Sequence, residues 1–594
     1  MSARIEDYAV IGDTHTAALV SLEGSVDWLC VPRFDSPACF AALLGDPGNG
    51  RWQLYPVEPV KAVRRAYRPG SLVLETEYDT DSGTVRVIDV MPPRDKHCHL
   101  IRRVVGVSGA VRMRQEWIVR FGYGKVRPWI RRRHDDDDRA TLSAVAGPDA
   151  LCLRGDDLPG PADGRHVGEF TVPAGEHRDF ALSYYRSHRD LPQVFDADDA
   201  LNATDDLWQH WSDRCTYQGP YREAVLRSLL TLKALTYHPT GGIAAAATTS
   251  LPEQFGGPRN WDYRYCWLRD AALTLGALVD CGYQNEAEHW RSWLLRAIAG
   301  DPEDIQIMYG VGGERWLPET ELDWLSGYEN STPVRVGNGA FTQFQSEIFG
   351  EVMDTLHRAR EAGISEGPVS WPMQRSLMKH LEKVWQQPDQ GIWESRGDPQ
   401  HYTHSRVMIW VAFDRAVRAC EEFDLEGPVE RWRELRDTVR KEVLTKGYNE
   451  KLGAFTQYYG GTTVDAALLM LPIFGFLPAD DPRMAGTIRV IEKTLDSDGL
   501  LLRYDTGTGG DGLPAGENPF LACSFWLATC YSLGGRIDDA KKLLDRLLAL
   551  RNDTGLLSEE YDTANHRMAG NVPQALSHLA LVTAVRAYGE RVHG

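Results

Sequence analysis

The hydrophobic pattern changes period once along this chain, near residue 205, and that change restricts the fold more than any other feature. Before it, short apolar runs alternate with turn signals. "AALVSLEGSVDWLC" has apolar runs on both sides of Glu23-Gly24, and "SLVLETEYDTDSGTVRVIDVMP" repeats the pattern around Asp81-Ser82-Gly83. "GEFTVPAGEHRDFALSYY" does so again around Pro173-Ala174-Gly175. Each stretch reads as a β-hairpin, and many such strands in succession predict an antiparallel sandwich. After residue 205 the apolar positions recur at helical spacing. Twelve helices are expected, starting near Tyr221, Trp267, Asn285, Ala340, Ser370, Thr403, Glu426, Thr463, Pro482, Pro519, Asp538 and Pro573.

These helices are of two kinds. "VERWRELRDTVRKEVL" and "DDAKKLLDRLLAL" carry one apolar stripe and a charged face. "FLACSFWLATCYSL", "VDAALLMLPIFGF" and "ALSHLALVTAVRAY" are apolar nearly all round and must be buried. The kinds largely alternate in the second half of the region, as two concentric rings of six would require. The expected division is a β-sandwich domain over 1–203, a helical linker over 204–220 and a helical barrel over 221–594. A chain of 594 residues is long enough for such a multidomain arrangement.

Composition excludes several classes of function. A net charge of −19 argues against a general nucleic-acid or anionic-membrane surface. No apolar run is long enough to span a bilayer. "MSARIEDYAVIGDTHT" lacks a signal-peptide pattern, and the ten cysteines show neither CxxC nor metal-type spacing. A cytoplasmic protein with reduced thiols, no metal and no cofactor is expected. The run "VRPWIRRRHDDDDR" reads as a solvated hairpin with complementary charges rather than a metal or anion site.

The unusual loops precede alternate helices: "GGPRNWDYRYCWLRD", "SGYENSTPVRVGNG", "PDQGIWESRGDPQHYTHS", "GAFTQYYGGTTVD", "DGLPAGENP" and "RMAGNVPQ". Helices of one ring run parallel, so these six loops are expected to meet at one mouth of the barrel, a natural pocket. Two glutamates stand out there. Glu394 follows Trp393, an apolar ring that would raise its pKa. Glu517 precedes Asn518, read as an N-cap, and Pro519, read as the first helical residue, so a helix dipole would favour its ionised form. One protonated and one ionised carboxyl form the pair that glycoside hydrolysis needs. A capping role for Glu517 and a packing role for Trp393-Glu394 are the plain structural alternatives. Arg269 and Asp270 form either an ion pair or a fork for sugar hydroxyls.

"IEDYAVIGDTHTAALVSLEGSVDWLCVPRFDSP", "NWDYRYCWLRDAAL", "PVRVGNGA", "GIWESRG", "HYTHSRVMIWVAFDRA" and "ENPFLACSFWL" resemble, in that order, bacterial members of glycoside hydrolase family 15. The resemblance spans nearly the whole chain. It implies an N-terminal super-β-sandwich, a helical linker and an (α/α)6 barrel. It also implies an inverting mechanism with Glu394 as general acid and Glu517 as general base. Trp267, Arg269 and Asp270 match the motif gripping the non-reducing glucose, and Trp393 and Arg396 would line the adjoining subsites. Two departures from the family pattern, Asn518-Pro519 after Glu517 and Glu329-Asn330 in "SGYENS", bear on linkage specificity. The implied partner is a small α-glucoside, trehalose first and short α-1,4 or α-1,6 gluco-oligosaccharides second, with a homo-oligomer possible. A phosphorylase on the same architecture is the alternative of another class, opposed by a carboxylate that would repel phosphate.

Overall fold

The long strand Cys98–Ile118 organises the first third of the chain, because it belongs to both layers of the sandwich. Its first half pairs with Gly83–Val90 and His177–Arg186, and its second half with Arg51–Pro56 and Arg165–Pro173, all antiparallel. Fifteen strands connect through it. The computed structural model describes residues 2–134, 140–193, 196–508 and 512–593.

Two of the three expected hairpins are present, Ala17–Ser21 with Ser25–Cys30 and Leu74–Asp79 with Gly83–Val90. The third is not a hairpin. Arg165–Pro173 and His177–Arg186 follow one another along opposite halves of the long strand. The turn between them is instead bound to that strand, Ala174 N to Gly109 O at 2.8 Å and Gly175 N to Gly106 O at 2.9 Å. A Cβ at Gly106 would lie 2.1 Å from Pro173 O, so only glycine permits the crossing. The basic run Trp129–His134 pairs with Ala140–Ala146 and is largely exposed, while Asp135–Asp138 lie outside the described residues.

Thirteen helices follow among the described residues: α1 Ala197–Ser212, α2 Arg222–Ala234, α3 Ala271–Asp280, α4 Gln284–Ala297, α5 Glu347–Glu361, α6 Gly367–Val384, α7 Thr403–Phe423, α8 Val429–Glu442, α9 Met470–Ile473, α10 Pro482–Thr494, α11 Leu521–Leu533, α12 Ile537–Ala549 and α13 Ala575–His593. The linking helix α1 begins before residue 204, because the Asp196 side chain caps it by accepting from Asp198 N and Asp199 N. Helices α3, α5, α7, α9, α11 and α13 pack in that cyclic order and close on α3, with α2, α4, α6, α8, α10 and α12 outside them. This is an (α/α)6 barrel. Burial follows the sequence pattern: Leu521–Ser532 of α11 is buried throughout, whereas α12 buries only Ala540, Leu544 and Leu547, one stripe of a surface helix.

The inner helices start later than expected at Trp267, Ala340, Pro519 and Pro573, since loop continues to Asp270, Ser346, Phe520 and Gln574. The helix expected from Thr463 shrinks to a 3-10 turn, Ala466–Leu469, and one turn of α9, where Pro472 supplies no N–H to extend the ladder. Among the described residues no helix is long and apolar enough to cross a membrane.

Sandwich and barrel share buried polar contacts. Arg264, in the loop before α3, has a fully buried side chain. It pairs with Asp262 at 2.6 Å and donates to the Tyr123 hydroxyl at 2.9 Å and Ser36 O at 3.0 Å, both in the sandwich. Trp28 Nε1 donates to Ala247 O at 2.8 Å, and Arg65 pairs with Asp553. Breaking one partner of a buried ion pair strands the other charge, at about 3–5 kcal/mol. Arg264→Met is therefore expected to lower the unfolding free energy by that order, read as a lower urea midpoint, and an unchanged midpoint would show that Arg264 does not brace the domains.

Candidate active site

The cavity at the barrel mouth is built by the loops that precede the inner helices. Arg259, Trp261, Tyr263 and Arg269 come from the loop before α3, and Asn338 and Ala340 from that before α5. Ile392 through Arg396 precede α7, Arg503, Tyr504, Leu513 and Phe520 precede α11, and Glu559 and Gln574 precede α13. The loop before α9 supplies Asp465, which holds Trp393 Nε1 at 2.9 Å. All six loops thus shape one end of the barrel.

Glu394 lies at a tight turn, with its N–H on Gly391 O at 2.9 Å and φ +57°. A non-glycine residue persists in that conformation only where its surroundings impose it. Its Oε1 accepts Trp267 Nε1 at 2.6 Å and lies 3.6 Å from Arg269 Nη1. Burial raises its pKa, opposed by Arg269 and by the Trp267 hydrogen bond. The tryptophan against Glu394 is therefore Trp267. Trp393 turns away to Asp465 and packs among Tyr504, Phe520 and Trp526, because its N–H needs a buried acceptor.

Of the residues singled out from sequence, Arg269, Trp393, Glu394 and Arg396 line the cavity. Trp267 stands behind Glu394, 3% exposed. Asp270 is buried beneath Arg269, accepting its Nε at 3.1 Å. Arg396 stacks on Trp261 at 4.4 Å and donates to Glu319 at 3.0 Å, and Arg335 covers the same ring at 4.6 Å.

Glu517 does not line the cavity. Helix α11 begins at Leu521 with Phe520 at its N-cap, so Glu517 lies beyond the reach of that dipole. An arginine takes the helix's place. Glu517 Oε1 accepts Arg503 Nε at 2.5 Å, its Oε2 lies 3.7 Å from Arg259 Nη1, and the side chain has no exposed surface. Arg503 also binds Glu253 at 2.7 Å and approaches Glu560 at 3.6 Å.

The second carboxyl on the cavity wall is Glu559, which sequence reasoning missed. It is 1% exposed, its Oε2 accepts Asn571 N at 3.4 Å, and its Oε1 has no partner among the described residues. Burial first, and then Glu253, pushes its pKa up, opposed by Arg503. Tyr263, which lines the same cavity, packs edge-on against Trp267 at 5.4 Å. In the cyclic order of inner helices, α7 and α13 stand opposite each other. Glu394 and Glu559 therefore enter the cavity from opposite sides of the ring. The available signal was the pair of adjacent acids in "GLLSEEYD", unusual in an apolar run.

A barrel whose mouth carries two carboxyls, aromatic walls and arginines has the groups that glycoside hydrolysis needs. The family model "Glycosyl hydrolases family 15" matches residues 219–586, and "Trehalase-like, N-terminal" matches residues 1–155. The chain belongs to glycosyl hydrolase family 15. It is 39% identical to a trehalase of Mycolicibacterium smegmatis over 98% of this chain and 90% of that one. A trehalase of Thermoplasma volcanium is 34% identical over 98% and 92%. The fold matches a bacterial glucoamylase complexed with acarbose, with a TM-score of 0.74 at 12% identity, covering 100% of this chain and 94% of that one.

Burial also holds Glu253, Glu347, Asp389 and Glu560 above their ordinary values, and pushes Asp465 up to about 7. Between the unfolded carboxyl range and about pH 7 these groups then bind more protons in the folded chain than in the unfolded one. Stability from these groups is full below that window and is lost as pH rises through it. Between pH 5 and pH 8 the Asp465→Asn variant is therefore expected to gain thermal stability relative to wild type as the pH rises, because it lacks one of these groups. A variant whose midpoint follows the wild-type pH profile would contradict the assignment.

Proposed function

We propose that this chain hydrolyses trehalose with inversion, Glu394 acting as general acid and Glu559, rather than Glu517, as general base. The observation that carries this reading is the placement of Glu394 and Glu559 on one cavity, on loops before opposed helices of the inner ring. An inverting enzyme needs a proton donor at the leaving oxygen and a base beyond the other ring face, with room for water between. Glu517 is already engaged by Arg503 and has no exposed surface. Relatives named as trehalases that match along 98% of the chain support the substrate.

In this mechanism Glu394 delivers its proton to the glycosidic oxygen as the C1–O bond breaks. The carboxylate left behind is stabilised by the Trp267 N–H and by Arg269, both on Oε1. Glu559, once ionised, takes a proton from the water that attacks C1, and Arg503 is the nearby charge that favours its ionised form. Trp393 and Arg269 border the reacting glucose, and Arg396 on Trp261 forms the wall of the second sugar. Trp267 and Asp270 act through Glu394 and Arg269. The sandwich braces the barrel, and ten unpaired thiols suit a reducing, cytoplasmic setting.

Acid–base groups of this kind contribute about 10²–10⁴-fold. With trehalose, maltose and isomaltose as substrates, Glu394→Gln and Glu559→Gln are each expected to lose about that factor in kcat at unchanged thermal stability. Glu517→Gln is expected to lose stability first and to keep measurable turnover on trehalose. An inactive, fully stable Glu517→Gln beside an active Glu559→Gln would return the base to Glu517.

A further inference from the structure

The strained turn at Glu394 rests on a buried acid pair that the mechanism above does not use. Asp389 is 2% exposed and accepts four hydrogen bonds. Its Oδ2 takes Ser346 N at 3.0 Å and the Ser346 hydroxyl, and its Oδ1 takes Gly391 N at 3.0 Å and the Ser405 hydroxyl at 3.1 Å. Those partners are the N-cap of α5, the turn that carries Glu394 and the first turn of α7. Asp389 N and O also pair with Gln400, closing the base of the same loop.

The Ser405 hydroxyl lies 3.1 Å from Asp389 Oδ1 and equally 3.1 Å from Glu347 Oε2. A hydroxyl has one proton, so it can donate to only one of them. The other contact is a hydrogen bond only if the second carboxyl carries a proton. Glu347 is 1% exposed, and its Oε1 has no partner among the described residues. The charged and titratable groups around the pair are Arg269 and Asp270 before α3, Glu351 on α5, and Tyr402 and His404 at the start of α7. Arg269 is the one cation among them, and it already serves Asp270 and Glu394. Two buried carboxylates facing one another with no cation of their own retain a proton between them.

We propose that Glu347 and Asp389 hold one shared proton across Ser405, and that this neutralised pair is the positioning element that keeps the Glu394 turn in its left-handed conformation. Burial of Glu347, with Asp389 beside it, raises the Glu347 pKa, in keeping with a retained proton. Asp389 and Glu347 touch no substrate. They act through the turn, and this rests on reading Glu394 as the acid.

Glu347→Gln mimics the protonated acid, because its amide can donate where the carboxylic proton did. It is expected to keep kcat and KM on trehalose within about threefold at pH 6 and to lose less activity than wild type towards pH 9. Asp389→Asn replaces an acceptor with a donor that opposes Ser346 N or Gly391 N. It is expected to lower kcat about 100-fold with KM little changed, the scale of a misplaced catalytic group. Where Asp389→Asn fails to fold, Ser405→Ala carries the test: without the bridge the proton is no longer shared between the two carboxyls, and the alkaline limb of the activity profile shifts.

A Glu347→Gln variant as damaged as Asp389→Asn would overturn the proposal, as would a Ser405→Ala variant with the wild-type pH profile. The infrared difference spectrum between wild type and Glu347→Gln at pH 7 reads the proton directly. A protonated-carboxyl band lost in the variant is expected, and its absence from the difference spectrum would overturn the pair. Because that spectrum involves no substrate, it separates failure of the pair from failure of the Glu394 assignment.

Discussion

Arg503 is the charge on which the mouth of this barrel depends. Glu253, Glu517 and Glu560 gather around its guanidinium, Glu559 lies close enough to feel it, and Arg259 is the second cation of the group. Removing carboxylates from water is costly unless cations and hydrogen bonds replace the solvent. With Arg503 occupied by Glu253 and Glu517, Glu559 is left with the weak polar support of Asn571 N at 3.4 Å. One carboxyl of the cluster is thus turned to the cavity while the others fix its surroundings. Arg503 also lowers the Glu394 pKa, so a single guanidinium acts on both proposed catalytic carboxyls.

The same economy of charge appears beneath Glu394. Arg269 faces Glu394 on one side and Asp270 on the other, and the acids behind it, Glu347, Glu351 and Asp389, must keep protons or share hydroxyls. A general acid needs such a setting. Burial favours its protonated form before reaction, and Trp267 with Arg269 stabilises the carboxylate after it. The sandwich meets this end of the barrel through Arg264, and Asp262, its buried partner, also receives Gly337 N at 3.0 Å, next to the cavity residue Asn338.

Much of this was legible in the sequence because it is periodic. The change from alternating to helical spacing and the contrast between α11 and α12 follow from burial alone. The place of Glu394 on the cavity was legible because "GIWESRG" is a Gly-punctuated turn before an inner helix, though the ring against it is Trp267 and not the neighbouring Trp393. The helix-dipole setting expected for Glu517 is absent because its partner is no local feature: Arg503 lies 14 residues earlier and meets it only when the loop folds back. Glu559 escaped notice because "LLSEEYD" looks like a short strand, and it is one from Glu560 to Asp562. Only ring order, which no single segment carries, places Glu394 and Glu559 on opposite sides. The turn at Pro173–Gly175 failed as a hairpin for a related reason: both flanking strands had a longer partner elsewhere.

The central claim is inversion at one anomeric carbon of trehalose, and proton NMR of the sugars released in the first turnovers tests it most directly. Trehalose joins two α-anomeric carbons, and only one C1–O bond breaks. Inversion by Glu394 and Glu559 therefore gives β-glucose from the attacked ring and α-glucose from the leaving ring, in equal initial amounts before mutarotation. That is the predicted result. Initial α-glucose alone would mean retention, and glucose 1-phosphate formed only with added phosphate would mean phosphorolysis. Either would contradict the account.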